Sequence, residues 1–267
     1  MDVDIDFTKS AQDNANAYYE KAKKLERKRA GAEKAMAELE KRFEEAGAAQ
    51  KVKKRSITTV TAKEWYEKFH WFLASNGMLA IGGRDARQNE AINSKHFDDN
   101  DLFFHSDIFG ASVVVLKNGT GAPTAVREEA AQFAACYSSA WEKGLGTIDV
   151  YAMKRDQVGK LTNKGALGTG SFSLRGEREW YRGVRLALCL FVKDGRLNAV
   201  PAKTFEAMNG NEKPGTYVTV EQGSEKKSDA AKSIAAALDF NNIDAVMQQL
   251  PSGSFMVKKS GSGSLHA

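Results

Sequence analysis

The chain has 267 residues, of which 42% are hydrophobic and 27% are charged. This is the composition of a globular protein that is long enough to bury a core in one large domain or two small ones. The 39 Lys and Arg residues exceed the 34 Asp and Glu residues and give a net charge of +5. Such a mild basic excess permits an acidic partner such as nucleic acid without requiring one.

Three features predict a cytoplasmic protein with no membrane partner. The longest apolar run, residues 186–192, is far shorter than the roughly 20 residues that a transmembrane helix needs. The first residues, MDVDIDF, are acidic and unlike a signal peptide. The two cysteines, Cys136 and Cys189, match no metal-ligand spacing, and so few cysteines are typical of a reducing compartment.

Residues 1–55 are predicted to contain one long helix, from Ala11 to about Gly47. A single apolar stripe follows a heptad spacing and charged residues fill the other faces, which is typical of one arm of a coiled coil. Because so narrow a stripe needs a partner, we expect residues 11–47 to project and to pair with a second helix, from this protein or from another molecule. An amphipathic helix lying on the globular part is the alternative. The stripe consists of Ala15, Tyr18, Ala22, Leu25, Ala32, Met36, Leu39 and Phe43.

After a basic link at residues 51–55, a helix is predicted from Thr61–Glu64, which has the pattern of a capping box. Trp65, Phe69 and Phe72 would lie on one face of this helix, and Gly77 would end it.

A strand at residues 78–81 then leads into a second capping box, Asp85–Gln88, which predicts a helix directly after Gly82 and Gly83. Pro123 begins another helix, with a buried stripe from Val126 to Trp141. The remaining predicted strands are 102–106, 112–117, 147–153, 171–176, 184–192, 217–223 and 255–259, with helices at 228–240 and 241–250.

Strands and helices alternate irregularly in this pattern, which favours an α+β fold over a doubly wound sheet. We expect a mixed β-sheet packed with helices, preceded by the coiled-coil helix. The expected domains are residues 1–55 (one coiled-coil arm), 56–200 (a globular domain) and 201–267 (a small α/β extension with a flexible tail).

An enzyme is the less favoured class. His105 lies near acidic residues and Cys136 lies in a helix, but nothing in the sequence brings them together with a third group, as nucleophilic catalysis requires. Cys136 stands among alanines and is expected to be a small buried residue. The four histidines are scattered, so we expect no metal and no cofactor.

Two segments could bind RNA. In GGRDARQNE, the glycine pair and the following helix N-terminus are suited to a phosphate, with Arg84 and Arg87 as its contacts. Asp85 is expected to occupy the helix N-cap itself, and an ordinary turn is the alternative. In RGEREWYR, residues 175–182, arginines alternate with Trp180 and Tyr181, which can stack on bases. A polar hairpin end is the alternative there.

Four motifs in sequence order resemble the RNA-binding NFACT-R domain of the NFACT family of ribosome quality-control proteins. They are GMLAIGGRDARQNEAI, DLFFHSDIFGASVVVLKNG, AACYSSAWEKG and GSFSLRGEREW. The resemblance is strong from Thr61 to Val192. The preceding helix is similar to the second arm of that family's coiled-coil hairpin, and the C-terminal stretch is similar to archaeal members.

The resemblance implies a non-enzymatic role in the rescue of stalled ribosomes. Family members bind the large ribosomal subunit and tRNA and support template-free extension of the nascent chain, while the ribosome forms the peptide bonds. The alternative is a coiled-coil protein-interaction module without direct RNA contact. Because the family's N-terminal NFACT module and helix–hairpin–helix part have no counterpart here, we expect a fragment or a split protein, whose partner could be an N-terminal NFACT module, and no unaided tailing.

The resemblance also marks site residues, although Glu177 stands where lysine is common in the family. It extends to Asp85, Gln88, Asp107 and Gly110, and which residues contact RNA and which only shape the fold stays open at this point. The expected RNA-binding residues are Gly82, Gly83, Arg84, Arg87, Asn89, His105, Lys117, Arg175, Arg178 and Trp180.

Overall fold

The computed structural model describes residues 4–8, 10–50, 64–163, 165–208 and 213–260, with only the backbone described at residues 39–50 and 260. The basic link at 51–55 and the expected tail after residue 260 lie outside these ranges. The chain divides into two compact units, Met1–Val60 and Thr61–Ala267. No helix among the described residues is long and apolar enough to cross a bilayer.

The first unit contains the predicted long helix, α1 (Ala11–Gln50). Ser10 caps it, since its Oγ accepts a hydrogen bond from the Asp13 amide at 3.1 Å and donates one to the Asp13 carboxylate at 2.6 Å. Tyr18, Leu25 and Met36 of the apolar stripe are 39%, 57% and 62% exposed. The end of the stripe, Leu39 and Phe43, lies where side chains are not described, and pairing with a second helix stays a prediction.

The second unit has an α+β fold, as the sequence predicts. Its helices are α2 (Ala86–Lys95), α3 (Thr124–Cys136), α4 (Ala202–Ala207), α5 (Lys227–Ala237) and α6 (Ile243–Gln249). Its strands are β1 (His70–Leu73), β2 (Leu79–Gly82), β3 (Leu102–Ser106), β4 (Val114–Leu116), β5 (Thr147–Lys154), β6 (Val158–Gly159), β7 (Leu161–Thr162), β8 (Gly165–Ala166), β9 (Ser173–Leu174), β10 (Glu179–Arg185), β11 (Ala187–Lys193), β12 (Arg196–Pro201), β13 (Tyr217–Lys226) and β14 (Ser254–Ser260).

Two antiparallel sheets share one core. The first has the order β1-β2-β4-β3-β5-β10 and the second has the order β12-β11-β13-β14. Helix α3 packs between them, because its buried residues form one hydrophobic cluster with residues of both sheets. The other face of the first sheet packs against α2 in a smaller cluster that includes Ile81, Ile92 and Phe103.

The predicted helix at residues 61–77 is wrong in its described part. Turns occupy residues 65–68, and β1 follows them and pairs with β2 in a hairpin whose turn contains Asn76 and Gly77. Phe69 and Phe72 are buried in different clusters, on opposite faces of the sheet, while Trp65 is exposed. The apolar residues that suggested one face of a helix therefore lie on two opposite faces of the sheet and in the turn that precedes β1.

Two other predicted elements differ in extent. Helix α3 ends at Cys136, and Trp141 reaches the core from the following turns, where its indole N–H donates to the Ser254 carbonyl at 2.9 Å. The predicted strand at 184–192 is two strands, because the chain passes from the first sheet to the second at Leu186. Strand β12 and helix α4 are not anticipated from the sequence.

Candidate nucleic-acid interface

The two glycines after β2 pack against neighbouring protein atoms. A Cβ on Gly82 would lie 3.1 Å from the Phe133 ring, and a Cβ on Gly83 would lie 2.0 Å from Asn89 Oδ1. Asn89 is buried, and its Oδ1 accepts a hydrogen bond from the Val113 amide at 3.0 Å. These contacts give Gly83 and Asn89 a structural role in holding α2 against the sheet, and they give Gly82 one in the close packing of β2 on Phe133 of α3.

The helix N-cap is occupied by Asp85, as the sequence predicts. Asp85 Oδ1 accepts from the Gln88 amide at 2.8 Å, and Gln88 Oε1 accepts from the Arg84 amide at 3.1 Å. The Gln88 side-chain amide also donates to the Lys68 carbonyl at 3.1 Å. The Asp85 carboxylate already accepts a hydrogen bond from an amide of the first turn. We therefore expect the side chains around this helix N-terminus to stabilise a bound phosphate more than its backbone amides do.

Arg84 and Arg87 are both exposed, but they differ in their contacts. Arg84 is held in place because its guanidinium donates to the Phe69 carbonyl at 3.1 Å. Arg87 has no side-chain hydrogen bond or ion pair with any residue that the structure describes. Neither arginine is neutralised by a carboxylate of the described residues, so both are free to contact a phosphate.

A cleft of about 470 Å³ lies beside Arg84, and we call it the central cleft. Residues 84–86, the loop between β3 and β4, and residues of the segment 169–174 surround it. Phe103, His105 and Tyr151 line its sheet side. Phe109, in the loop between β3 and β4, is 95% exposed at this cleft. A fully exposed phenylalanine beside an arginine is suited to stacking on an unpaired base.

An aromatic row extends across the first sheet from the central cleft to its edge strand. His105, Tyr151 and Trp180 are directly opposite one another on β3, β5 and β10. The ring centroids are 5.8 Å apart for His105 and Tyr151 and 5.3 Å apart for Tyr151 and Trp180. The Tyr151 hydroxyl lies 3.2 Å from His105 Nδ1. Burial lowers the pKa of His105 despite hydrogen bonds at Ser106 and Ala111, so the ring is a neutral member of this row at neutral pH.

Two arginines cover the outer end of the row. Arg178 Cζ lies 4.5 Å from the Tyr151 ring centroid and 5.7 Å from that of Trp180. Arg182 Cζ lies 3.9 Å from the Trp180 centroid and is tethered to Asp149 at 2.6 Å. Arg178 has no carboxylate partner within the described part of the chain, so the row ends in an unpaired cation beside aromatic rings.

Trp180 and Tyr181 do not form a joint stacking surface. They project to opposite faces of β10, and Tyr181 packs on the α3 side, 5.9 Å from the Phe104 ring. Its hydroxyl donates to Glu179 at 2.5 Å. Only Trp180 of this pair is therefore on the face of the central cleft.

Two other expected contacts lie apart from the aromatic row. Lys117 Nζ donates to the His96 carbonyl at 3.1 Å and pairs with Asp98 and Asp101. Burial opposes its charge, but the hydrogen bonds to these carboxylates outweigh that effect and raise the pKa of Lys117. Arg175 is exposed beyond β9, and its guanidinium is 3.4 Å from the Leu161 carbonyl.

The residues of the enzyme hypothesis lie on opposite faces of the first sheet. Cys136, the last residue of α3, is fully buried against the second sheet, with Sγ 3.5 Å from the Ala187 carbonyl, and burial raises the pKa of its thiol. His105 faces the central cleft. Within the described residues, no three His, Cys, Asp or Glu side chains are grouped to hold a metal ion. A joint catalytic site of His105 and Cys136 is therefore excluded.

Comparison with known proteins identifies the family. Residues 68–176 match the family described as the NFACT protein RNA binding domain. The archaeal Rqc2 homolog aRqcH of Methanocaldococcus jannaschii is 34% identical over 205 residues, which cover 74% of this chain and 30% of that protein. The chain belongs to the NFACT family. The ribosome quality control complex subunit NEMF of Homo sapiens is 36% identical over 176 residues, which cover 62% of this chain and 16% of that protein.

This NFACT chain therefore spans less than a third of the length of these two relatives. A solved structure, the C-terminal part of the fibronectin/fibrinogen-binding protein from Streptococcus suis, aligns with a TM-score of 0.39 at 23% identity, over 56% of this chain and 57% of that chain.

The NFACT-R match contains the Gly82–Asp85 segment, His105, Lys117 and Arg175, but it ends before β10. The sequence analysis singled out Arg178 and Trp180, and its segment 175–182 includes Arg182, but it did not single out Phe109, Tyr151 or Phe172. The spacing of two residues from Trp180 to Arg182 could have indicated a shared strand face. Tyr151 could not have been found in this way, because only the pairing of β5 with β3 and β10 brings it into the row.

Proposed function

We propose that this chain is an RNA-binding module that contacts RNA of the large ribosomal subunit and tRNA during the rescue of stalled ribosomes. The observation that carries the proposal is the aromatic row beside the central cleft, together with Arg84, Arg87 and Arg178, which have no carboxylate partner among the described residues. Aromatic rings stack on unpaired bases, while arginines that lack carboxylate partners are available to phosphates. The names of the NFACT relatives, which are ribosome quality-control proteins, support the ribosomal context.

The proposed contacts divide by chemistry. Phe109 and Trp180 would stack on bases, whereas Arg84, Arg87 and Arg178 would contact phosphates. Arg175 is a further phosphate contact at the side of the cleft. Gly83 and Asn89 would act only by positioning α2, and Gly82 only by packing closely against α3. Lys117 would act only by joining β4 to the segment around Asp98 and Asp101.

The test is the salt dependence of binding to purified tRNA and to large ribosomal subunits. The double variant Arg84→Ala with Arg87→Ala should bind both RNAs more weakly, and the slope of log K against log salt should fall by about 0.7 to 1 for each phosphate that is no longer neutralised. Lys193→Ala with Lys232→Ala removes two exposed charges outside the cleft and is the charge-matched control. An unchanged slope in the first variant contradicts RNA contact at this cleft.

A second function, protein interaction through α1, is favoured by the exposure of Tyr18, Leu25 and Met36. These residues belong to the predicted heptad stripe, which a partner helix would cover. Deleting residues 1–55 separates the two functions. Loss of ribosome binding would make the coiled coil the main contact, and retained binding would assign it to the globular unit.

A further inference from the structure

A second cleft adjoins the central cleft at Arg84. It has a volume of about 710 Å³ and lies between β1, the turns after α3, and the α5–α6 region. Arg84, Gly110 and Ser112 line both clefts. His70 and Lys227 line only the second one among the clefts described here, and nothing in the RNA-binding proposal uses them.

Lys227 is a half-buried cation that has no ion-pair partner in the described part of the chain. It is the first residue of α5, where the helix dipole already disfavours a positive charge. Its Nζ donates to the Leu250 carbonyl at 2.8 Å, and none of the described residues forms an ion pair with it. Burial lowers the pKa of Lys227. An anion bound in the cleft would stabilise the charged form of this partly desolvated lysine.

His70 lies close to both cations of the second cleft. Its side chain stacks on Tyr137, with ring centroids 3.9 Å apart, and its buried Nδ1 has no hydrogen-bond partner among the residues that the structure describes. Burial is the main cause that lowers the pKa of His70 to about 3, and the charges of Arg84 and Lys227 lower it further. The cleft is therefore electropositive around a neutral imidazole.

The acidic residues that line this cleft form no ion pair with its cations among the described residues. Glu142 and Asp244 line it and are exposed. The hydroxyls of Ser112 and Ser138 donate to the carbonyls of Gly83 and Ala135. Lys227 and Arg84 therefore keep their charges without a carboxylate partner among the described residues.

We propose that the second cleft binds a phosphate group, with Lys227 and Arg84 as its cationic contacts beside His70. The two cations come from different elements and converge on one cavity, as in sites that bind phosphate through several side chains. The volume is within the range of pockets that accept a whole nucleotide. The phosphate belongs either to a free nucleotide or to an RNA strand that continues from the central cleft past Arg84.

The test uses the full chain, with inorganic phosphate and AMP as probes and adenosine as the uncharged comparison. Calorimetry measures affinity, and the imidazole resonances of His70 report binding in this cleft. AMP should bind more tightly than adenosine, and Lys227→Met should weaken AMP binding about tenfold or more, the effect of one charge-assisted hydrogen bond. Lys232→Met, on the exposed face of the same helix, should leave AMP binding unchanged.

A second variant guards against misfolding. Lys227 is half-buried, so its replacement could disturb the fold. Arg84 is exposed, and Arg84→Met removes the other cation and should also weaken AMP binding. Equal AMP binding by wild type, Lys227→Met and Arg84→Met overturns the proposal, as does the absence of any change at His70 with phosphate or AMP.

An RNA arm identifies the source of the phosphate. When Lys227→Met weakens AMP binding, a parallel fall in oligoribonucleotide affinity assigns the phosphate to RNA, and unchanged RNA affinity assigns it to a nucleotide. Trp180→Ala, which removes a central RNA contact, should leave AMP binding intact. Absence of any RNA binding by the wild type, with AMP binding retained, would therefore contradict the RNA-binding function and leave the phosphate site supported.

Discussion

Gly83 allows the backbone after β2 to approach α2 more closely than any other residue would permit. A Cβ at this position would lie 2.0 Å from Asn89 Oδ1 and 2.8 Å from the Asn89 backbone nitrogen. Gly83→Ala should therefore displace Asn89 from the Val113 amide and lower the free energy of unfolding by about 1–3 kcal/mol. Urea denaturation measures the change. Gly121→Ala, where a Cβ meets nothing within 4 Å, is the control, and an equal loss in both variants would contradict the role given to Asn89.

His70 should make the stability of the globular unit depend on pH. Its pKa falls from 6.5 to about 3 in the folded protein, so the unfolded chain binds one more proton between these values. Stability from this residue is complete above pH 6.5 and decreases as the pH falls, by about 1.4 kcal/mol per unit. His70→Phe retains a ring and removes the proton. Its unfolding free energy should vary less with pH between 6.5 and 4 than that of the wild type, and parallel profiles would contradict the assignment.

Strand β10 has one face on the side of the central cleft and the other on the side of α3. Variants of the neighbouring residues Trp180 and Tyr181 test which face binds RNA. Trp180→Ala removes the outer ring of the aromatic row and should weaken binding of single-stranded RNA by about 1–3 kcal/mol. Tyr181→Phe removes only a hydroxyl on the α3 side and should leave RNA affinity unchanged. Fluorescence anisotropy with a labelled oligoribonucleotide measures both. If Tyr181→Phe lowers RNA affinity more than Trp180→Ala does, the proposed location of RNA on the face that carries Trp180 is contradicted.

Elements with a clear cap or an uninterrupted apolar pattern are predictable from the sequence. Asp85 and Gln88 indicate the start of α2, and strands β3, β5 and β13 follow from their apolar residues. The prediction for residues 65–72 is wrong because hairpin pairing with β2, which is a tertiary interaction, decides the structure of that segment. The same holds for the aromatic row, since the sequence separates His105, Tyr151 and Trp180 and only antiparallel register brings them together.

At the scale of the whole globular unit, Glu129 joins the two sheets. It is 2% exposed on α3, and its carboxylate accepts from the Ser75 amide at 2.9 Å and from the Ser75 hydroxyl, in the β1–β2 turn. It also accepts from the Thr204 hydroxyl of α4 at 2.9 Å. Because these donors come from the β1–β2 turn of the first sheet and from α4, which directly follows β12 of the second sheet, the two sheets should unfold together.

Glu129→Ala leaves three donors unpaired and should lower the free energy of unfolding by about 2–4 kcal/mol. Glu128→Ala, which breaks only an exposed ion pair with Lys203, should change it by less than about 1 kcal/mol. Urea unfolding followed by circular dichroism and by tryptophan fluorescence should give coincident transitions in the wild type. Two separate transitions would contradict the joint core and support the domain boundary near residue 200 that the sequence suggests.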